Sequence, residues 1–125
     1  TVFLEDTDAT GMVYHAQYLK FLERARTSQF YHIGIDHAQM ISEGLGFVVK
    51  RAAVDFIKPA VLQDRLCIES TIINSGPASI TLGQEIHRDK KIITQAKIDL
   101  ACIHLSGRVC RIPEQIIKKL KFSNS

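Results

Sequence analysis

One short run, Glu5 to His15, gathers Glu5, Asp6, Thr7, Asp8, Thr10, Tyr14 and His15. Carboxylates, hydroxyls and an imidazole packed this closely are the groups that nucleophilic and acid–base chemistry employs. A carboxylate of this run is a candidate for attack on an electron-poor carbon, or for taking a proton from water. His15 falls where the following helix must begin. The first amides of a helix have no internal acceptor and carry partial positive charge, so they polarise a carbonyl or hold a developing oxyanion. A carboxylate beside them has an evident use. It must be ionised when substrate binds, and to act as a base it should have its pKa raised by partial burial. Taken singly, Asp8 is more often a loop or capping carboxylate, Asp6 a turn or N-cap residue that holds the loop, and His15 a stacked or hydrogen-bonded structural residue.

Other chemistries find less support. No Gly-x-Ser-x-Gly element is present, which removes the usual serine-hydrolase elbow. Cys67, Cys102 and Cys110 form no Cys-x-x-Cys pair, and His32, His37, His87 and His104 are scattered without ligand spacing, so no metal site or disulfide framework is expected and the thiols read as reduced and intracellular. Tyr14 and Tyr18 read first as core or interface aromatics and second as substrate contacts. Glu23 with Arg24 and Arg26 has helix-neighbour spacing and reads as a solvated or interface ion pair. Lys58, Arg88, Lys90, Lys91, Arg108 and Arg111 fall at strand turns or beyond the last strand, as contacts for a phosphorylated ligand or as solvated turn charges. A net charge of +3 favours such a ligand mildly and lies far below a nucleic-acid signature.

These residues need elements to hold them. Thr1 to Glu5 is a short apolar run, expected as a strand, that stops at the small and turn-forming residues Asp6 to Gly11. From Ala16 to about Ile33 there is neither Gly nor Pro, and Tyr18, Phe21, Leu22 and Ala25 recur at helical spacing, which predicts one long helix ending at Gly34. Asp36 to Ser42 suits a further turn or two. The pattern then alternates over Phe47 to Ile57, Leu66 to Ile73, Ile80 to His87 and Ile92 to Leu105, with short turn-like breaks that imply antiparallel neighbours. Pro113 introduces a last helix, Glu114 to Leu120, and the tail from Phe122 to Ser125 is expected to fray. With a single crossover available, the economical packing is an α+β domain in which a curved antiparallel sheet of five strands wraps one apolar helix.

The run from Glu5 through Arg26, with Ile57-Lys58-Pro59-Ala60, Asp64-Arg65-Leu66 and Gly107 to Pro113, resembles the signature of the 4-hydroxybenzoyl-CoA thioesterase family. Within it the likeness is to the YbgC-like branch, bacterial acyl-CoA thioesterases associated with the Tol-Pal system. That resemblance implies a hotdog fold, a homodimer or homotetramer with its active site at the dimer interface, and hydrolysis of acyl-CoA to free acid and CoA without metal or redox cofactor. Asp8 matches the family's catalytic aspartate. His15 matches the position whose backbone N–H is aimed at the thioester carbonyl, and in this branch that position is itself a histidine. The basic residues named above become candidates for the phosphates of CoA. This chain carries Leu4 where the branch often has Tyr, Thr10 where Gly is frequent, and Gln17 where Asn or Ser is frequent.

The 125 residues, 46% apolar and 23% charged, suit one domain and leave no compositional case for disorder. With no Trp and few aromatics, a chain this short is expected to cover part of its apolar area in a homo-oligomer. No apolar run reaches the length of a membrane span. The start lacks a signal pattern, and the missing initiator Met predicts that residues precede Thr1. A cytoplasmic location follows, with inner-membrane or lipid-synthesis proteins as prospective partners. Two other functions compete with hydrolysis: a hydroxyacyl-thioester dehydratase on the same fold, and non-enzymatic binding of acyl-CoA.

Overall fold

Tyr18, Phe21, Leu22 and Phe30 form a stripe that must be buried, and the computed structural model, which describes residues 1–123, buries it along helix α1 (Gln17–His32). The end of α1 follows from Gly34 at φ +90°, a left-handed residue that lets the Ile35 amide reach back to the Phe30 carbonyl (2.8 Å) and the Gly34 amide to Tyr31 (3.0 Å). This is a Schellman closure, and its usual apolar contact is supplied by Ile35 and Phe30, both buried. Helix α2 (His37–Ser42) begins at once, capped by the Asp36 carboxylate, which accepts from the amides of Ala38 and Gln39.

Four strands follow: β1 (Leu45–Phe56), β2 (Cys67–Ser75), β3 (Ser79–Arg88) and β4 (Lys91–His104). They form one antiparallel sheet in the order β1-β4-β3-β2. The β3–β4 hairpin closes through Asp89 and Lys90, with φ 52° and 66°; this pair of left-handed residues matches the twist of adjoining strands. The alternation expected from sequence is realised, with Ile80, Leu82, Gln84 and Ile86 of β3 and Ala96, Ile98, Leu100 and Cys102 of β4 all buried on the inner face. Register breaks in β1, β2 and at the end of β3 add local bend and twist. Helix α1 packs against β2, and Ile112, Ile116 and Leu120 of the last segment complete the core.

The expected first strand is absent, so the sheet has four strands and not five. Val2 is buried and exchanges backbone bonds with Asp64 and Gln63 (2.9 and 3.0 Å), but the chain then turns through a 3₁₀ segment, Leu4–Asp6. The cause is local: the Asp6 carboxylate accepts from the Phe3 amide at 2.9 Å, and a side chain bonding to nearby backbone displaces an extended run. The last helix, α3 (Glu114–Ser123), reaches into the stretch expected to fray. The other two tail residues, Asn124 and Ser125, lie outside the described residues. Among the described residues no helix is long and apolar enough to cross a membrane.

Candidate active site

The segment Asp6 to Tyr14 folds back on itself as a small hairpin. Tyr14 N–H donates to the Asp6 carbonyl (3.1 Å), Thr7 and Val13 form an antiparallel bridge, and Asp8 N–H donates to the Met12 carbonyl (2.9 Å). Its tip is the turn Asp8-Ala9-Thr10-Gly11, closed by Gly11 N–H to the Asp8 carbonyl (3.1 Å), with Gly11 at φ +79°. An aspartate opening such a turn takes bonds from residues just ahead of it. Asp8 does so through one oxygen: Oδ1 accepts from the Thr10 hydroxyl (2.5 Å) and from the Thr10 amide (2.8 Å). Donation from the Thr10 hydroxyl and then its amide holds the Asp8 carboxyl below its ordinary pKa. The raised value that base action was expected to require is therefore not found in the single chain. The reason is position, because the carboxyl stands exposed at a hairpin tip with none of its own chain over it.

The hairpin leads straight into α1. Helix α1 has Ala16 at its N-cap and no side-chain cap, and among the described residues the amides of His15 and Ala16 donate to no acceptor. The His15 ring is exposed and rests against Tyr14, with ring centroids 4.5 Å apart. The His15 ring thus makes a tilted contact with Tyr14 while its backbone amide stands without an acceptor. Beneath the hairpin, the Val13 amide donates to Ala60, the Leu62 amide to Gly11, and the Tyr18 hydroxyl accepts from Ala60 N–H (2.9 Å). Segment 59–64 is itself pinned by Arg88, whose Nη1 donates to Asp64 Oδ2 (2.6 Å) and to the Pro59 carbonyl (3.0 Å). Burial pushes the Asp64 carboxyl up, but the Val61 amide and Arg88 outweigh it and hold it below its ordinary value.

A sequence model of the thioesterase-like superfamily matches residues 2–120, nearly the whole chain. The chain belongs to that superfamily. Within the thioesterase-like proteins it is 38% identical over 105 residues to the acyl-CoA thioesterase YbgC of Haemophilus influenzae, covering 83% of this chain and 77% of that one. It is 33% identical over 122 residues to the acyl-CoA thioester hydrolase YbgC of Escherichia coli, covering 96% and 91%. Among solved structures it matches a probable thioesterase from Bartonella henselae at TM-score 0.86 and 34% identity, over 90% of this chain and 94% of that one. The α+β hotdog arrangement expected from the resemblance is the fold observed, with the strand count corrected to four.

This thioesterase-like chain does not bring its basic candidates together. Lys58, Arg88, Lys90 and Lys91 lie toward the end of the sheet where Phe56 pairs with Thr94, the end that carries segment 59–64 and the Asp8 hairpin. Arg108 and Arg111 lie at the far end of β4, on a segment that folds back beside Cys102 to His104, roughly 30 to 40 Å away at about 3.3 Å per strand residue. Lys58, Lys91, Arg108 and Arg111 are exposed. Lys90 is exposed too, at the rim of a hollow of about 450 Å³ shared with Cys67 and His87. Arg88 is already engaged by Asp64 and Pro59.

Several contacts escaped the sequence reading. Arg26 is not solvated: it is 7% exposed and donates to Gln84 Oε1 (3.0 Å), while Gln84 Nε2 donates to the Leu22 carbonyl and to Ser70 Oγ. Gln84 stood as the polar member of an inward-facing apolar alternation, which was the available signal. Glu69, Glu85 and His87 bring potential ligand atoms within 4.8 Å of one another. No chain spacing reveals that group, because β2–β3 register creates it, and it belongs to the outer face away from the Asp8 hairpin. The Asp6–Gln17 contact also appeared only in three dimensions.

Proposed function

We propose that this protein hydrolyses acyl-CoA thioesters to the free acid and CoA, with Asp8 as nucleophile or general base and the free amides of His15 and Ala16, at the entry to α1, as donors to the thioester carbonyl oxygen. The observation that carries this reading is Asp8: an ionised carboxylate fixed through Oδ1 by Thr10 and exposed at the tip of a hairpin that ends at an uncapped helix N-terminus. The YbgC relatives, named as acyl-CoA thioesterase and acyl-CoA thioester hydrolase, support it.

The chemistry is within reach of these groups. Sulfur donates weakly to a thioester carbonyl and leaves readily, so an oriented carboxylate and amide donors suffice without a Ser-His-Asp triad. On the first route Asp8 attacks the carbonyl carbon, the C–S bond breaks to give a mixed anhydride and CoA thiolate, and water then cleaves the anhydride. On the second, Asp8 takes a proton as water attacks. Both give one acid and one thiol for each water consumed. Both routes require an ionised Asp8, as any aspartate is at neutral pH, and the bonds from Thr10 extend that state to lower pH.

We infer further that the working unit is a homodimer or a dimer of dimers in the cytoplasm. Strand β1 is an edge of the sheet, and its inner-face Val49 and Phe56 are half exposed. A long, apolar, open edge is a template for pairing with another copy. Antiparallel pairing of two β1 strands would turn one chain's Leu45 end, with Arg108 and Arg111, toward the other's Phe56 end, with Lys58, Tyr14 and Asp8. It would cover Asp8 and gather the separated basic residues around the phosphates of one CoA. The association with inner-membrane or lipid-synthesis proteins rests on the resemblance alone.

The test is turnover of a panel of short, long and aromatic acyl-CoA thioesters. The unaltered protein is expected to release CoA from at least one, and Asp8→Asn to be slower by about 10³-fold or more with its Tm nearly unchanged. Cys67 is a free, exposed thiol open to the thiol reagent of such an assay, so an enzyme blank is needed. Equal rates for the two proteins, or tight acyl-CoA binding without turnover, would refute the reading.

A further inference from the structure

Asp6 is among the most deeply buried charged groups of the described chain, 2% exposed, and every polar atom it owns is engaged. Its Oδ2 accepts from the Phe3 amide (2.9 Å) and its Oδ1 from Gln17 Nε2 (2.8 Å). Its carbonyl accepts from the Tyr14 amide (3.1 Å), and its own amide donates to the Phe3 carbonyl (3.0 Å). The two carboxylate oxygens thereby join the chain before the Asp8 hairpin to the first residue of α1 after it. The carbonyl meanwhile closes the hairpin's base.

A carboxylate removed from water onto neutral donors alone carries a substantial desolvation cost. The positive end of α1, which begins at Gln17, offsets part of it. The placement is poor for reaction, because both oxygens are occupied and the group is sealed from solvent. It is well suited to holding two flanking segments in one relation.

We propose that Asp6 is a positioning residue of the active site, its buried carboxylate and carbonyl fixing the Asp8 hairpin against the first turn of α1 so that Asp8 and the His15 and Ala16 amides keep one mutual geometry. The inference rests on the thioesterase reading above. Without the Asp6 carboxylate two donors lose their acceptor and the hairpin is free to shift, and a displacement of about 1 Å costs on the order of 100-fold in rate. The anion itself is dispensable. Asparagine has the same shape, and its Oδ1 can accept from Phe3 while its Nδ2 donates to Gln17 Oε1 once that amide turns over.

The experiment measures kcat, KM and Tm for Asp6→Ala, Asp6→Asn, Gln17→Ala and the double variant Asp6→Ala/Asp8→Asn, each well below its own Tm and on a thioester the unaltered protein hydrolyses. Asp6→Ala is expected to lose on the order of 100-fold in kcat, with KM little changed. Asp6→Asn should stay within about threefold of the unaltered protein, since its hydrogen bonds are kept. The double variant should be no slower than Asp8→Asn alone, because Asp6 acts through Asp8. If Asp6→Ala does not fold, Gln17→Ala carries the test, with a kcat loss of about tenfold expected from one lost bond. Full kcat in Asp6→Ala or, where that variant does not fold, in Gln17→Ala would overturn the proposal. So would an Asp6→Asn protein as inactive as Asp8→Asn, or a double variant in which the two losses multiply. Absence of turnover in the unaltered protein is a separate result, which removes the thioesterase reading and this role with it.

Discussion

Thr10 donates twice to the same oxygen of Asp8, and the hydroxyl bond is the larger influence on that carboxylate. Hydrogen bonds to the charged form stabilise it, so the group stays ionised to lower pH than an ordinary aspartate. Removing the hydroxyl in Thr10→Ala leaves only the backbone donors of Thr10 and, more weakly, Met12, and the Asp8 pKa should rise. If ionised Asp8 is required for turnover, the acid limb of the kcat/KM profile moves to higher pH in Thr10→Ala and stays in place in Thr10→Ser. A pH–rate series on the three proteins checks this, and an unmoved limb in Thr10→Ala would show that Asp8 does not set it. Thr10 was visible in the sequence as a departure from the glycine frequent there. Its bond to Asp8 was not, since a two-residue separation permits that contact without requiring it.

At the scale of elements, the Asp8 hairpin is only as well placed as α1, and α1 is defined at its two ends by different means. Its start is tied by Gln17 to Asp6, and its finish by Gly34, whose φ of +90° supports the bonds from Ile35 to Phe30 and from Gly34 to Tyr31. A Cβ at Gly34 would meet nothing closer than 3.4 Å, the flexible end of Lys119. The cost of Gly34→Ala is therefore backbone strain alone, about 1 kcal/mol for a left-handed residue with a Cβ. Thermal denaturation should register it as a loss of roughly 4 °C in Tm. Activity at 25 °C should be unchanged, because the strain lies at the opposite end of α1 from Asp8. Helix and strand boundaries came within a few residues of those expected, since a stripe over Tyr18 to Phe30 and alternation over Ile80 to Ile86 are strong periodic signals. The first strand failed because its five residues give no period to read and Asp6 captures the backbone beside it.

For the whole molecule, the decisive feature is the uncovered edge. Helix α1 lies against β2 at one side of the sheet, while β1 at the other side leaves inner-face Val49 and Phe56 about half exposed. A charge placed there must be desolvated if a second copy pairs, but stays hydrated in the separate chain. Val49→Lys should therefore still fold, with a lower Tm because the stabilisation from pairing is lost, elute as a monomer by light scattering, and lose thioesterase activity because Asp8 is no longer covered. A Val49→Lys protein that is monomeric and fully active would mean that one chain holds the complete site. The separation of Lys58 and Lys91 from Arg108 and Arg111 by the length of β4 belongs to this scale as well. Along the chain all of them look alike, as basic residues near turns.

The choice of Asp8 as the proposed chemical centre came from the family resemblance, whereas residue types and periods alone determined the α+β class, the long helix entered by an Asp-rich loop and the alternating strands. Each rests on short-range physics: side-chain pattern, turn chemistry and the free amides of a helix start. Tertiary structure decided that Asp6 is buried between Phe3 and Gln17, that Arg26 is held by Gln84 beneath α1, and that Arg88 is engaged by Asp64. Those pairings reach across as many as 58 positions of chain in the Arg26–Gln84 contact. What joins such residues is the packing of helix on sheet and strand on strand, a relation that no local spacing encodes.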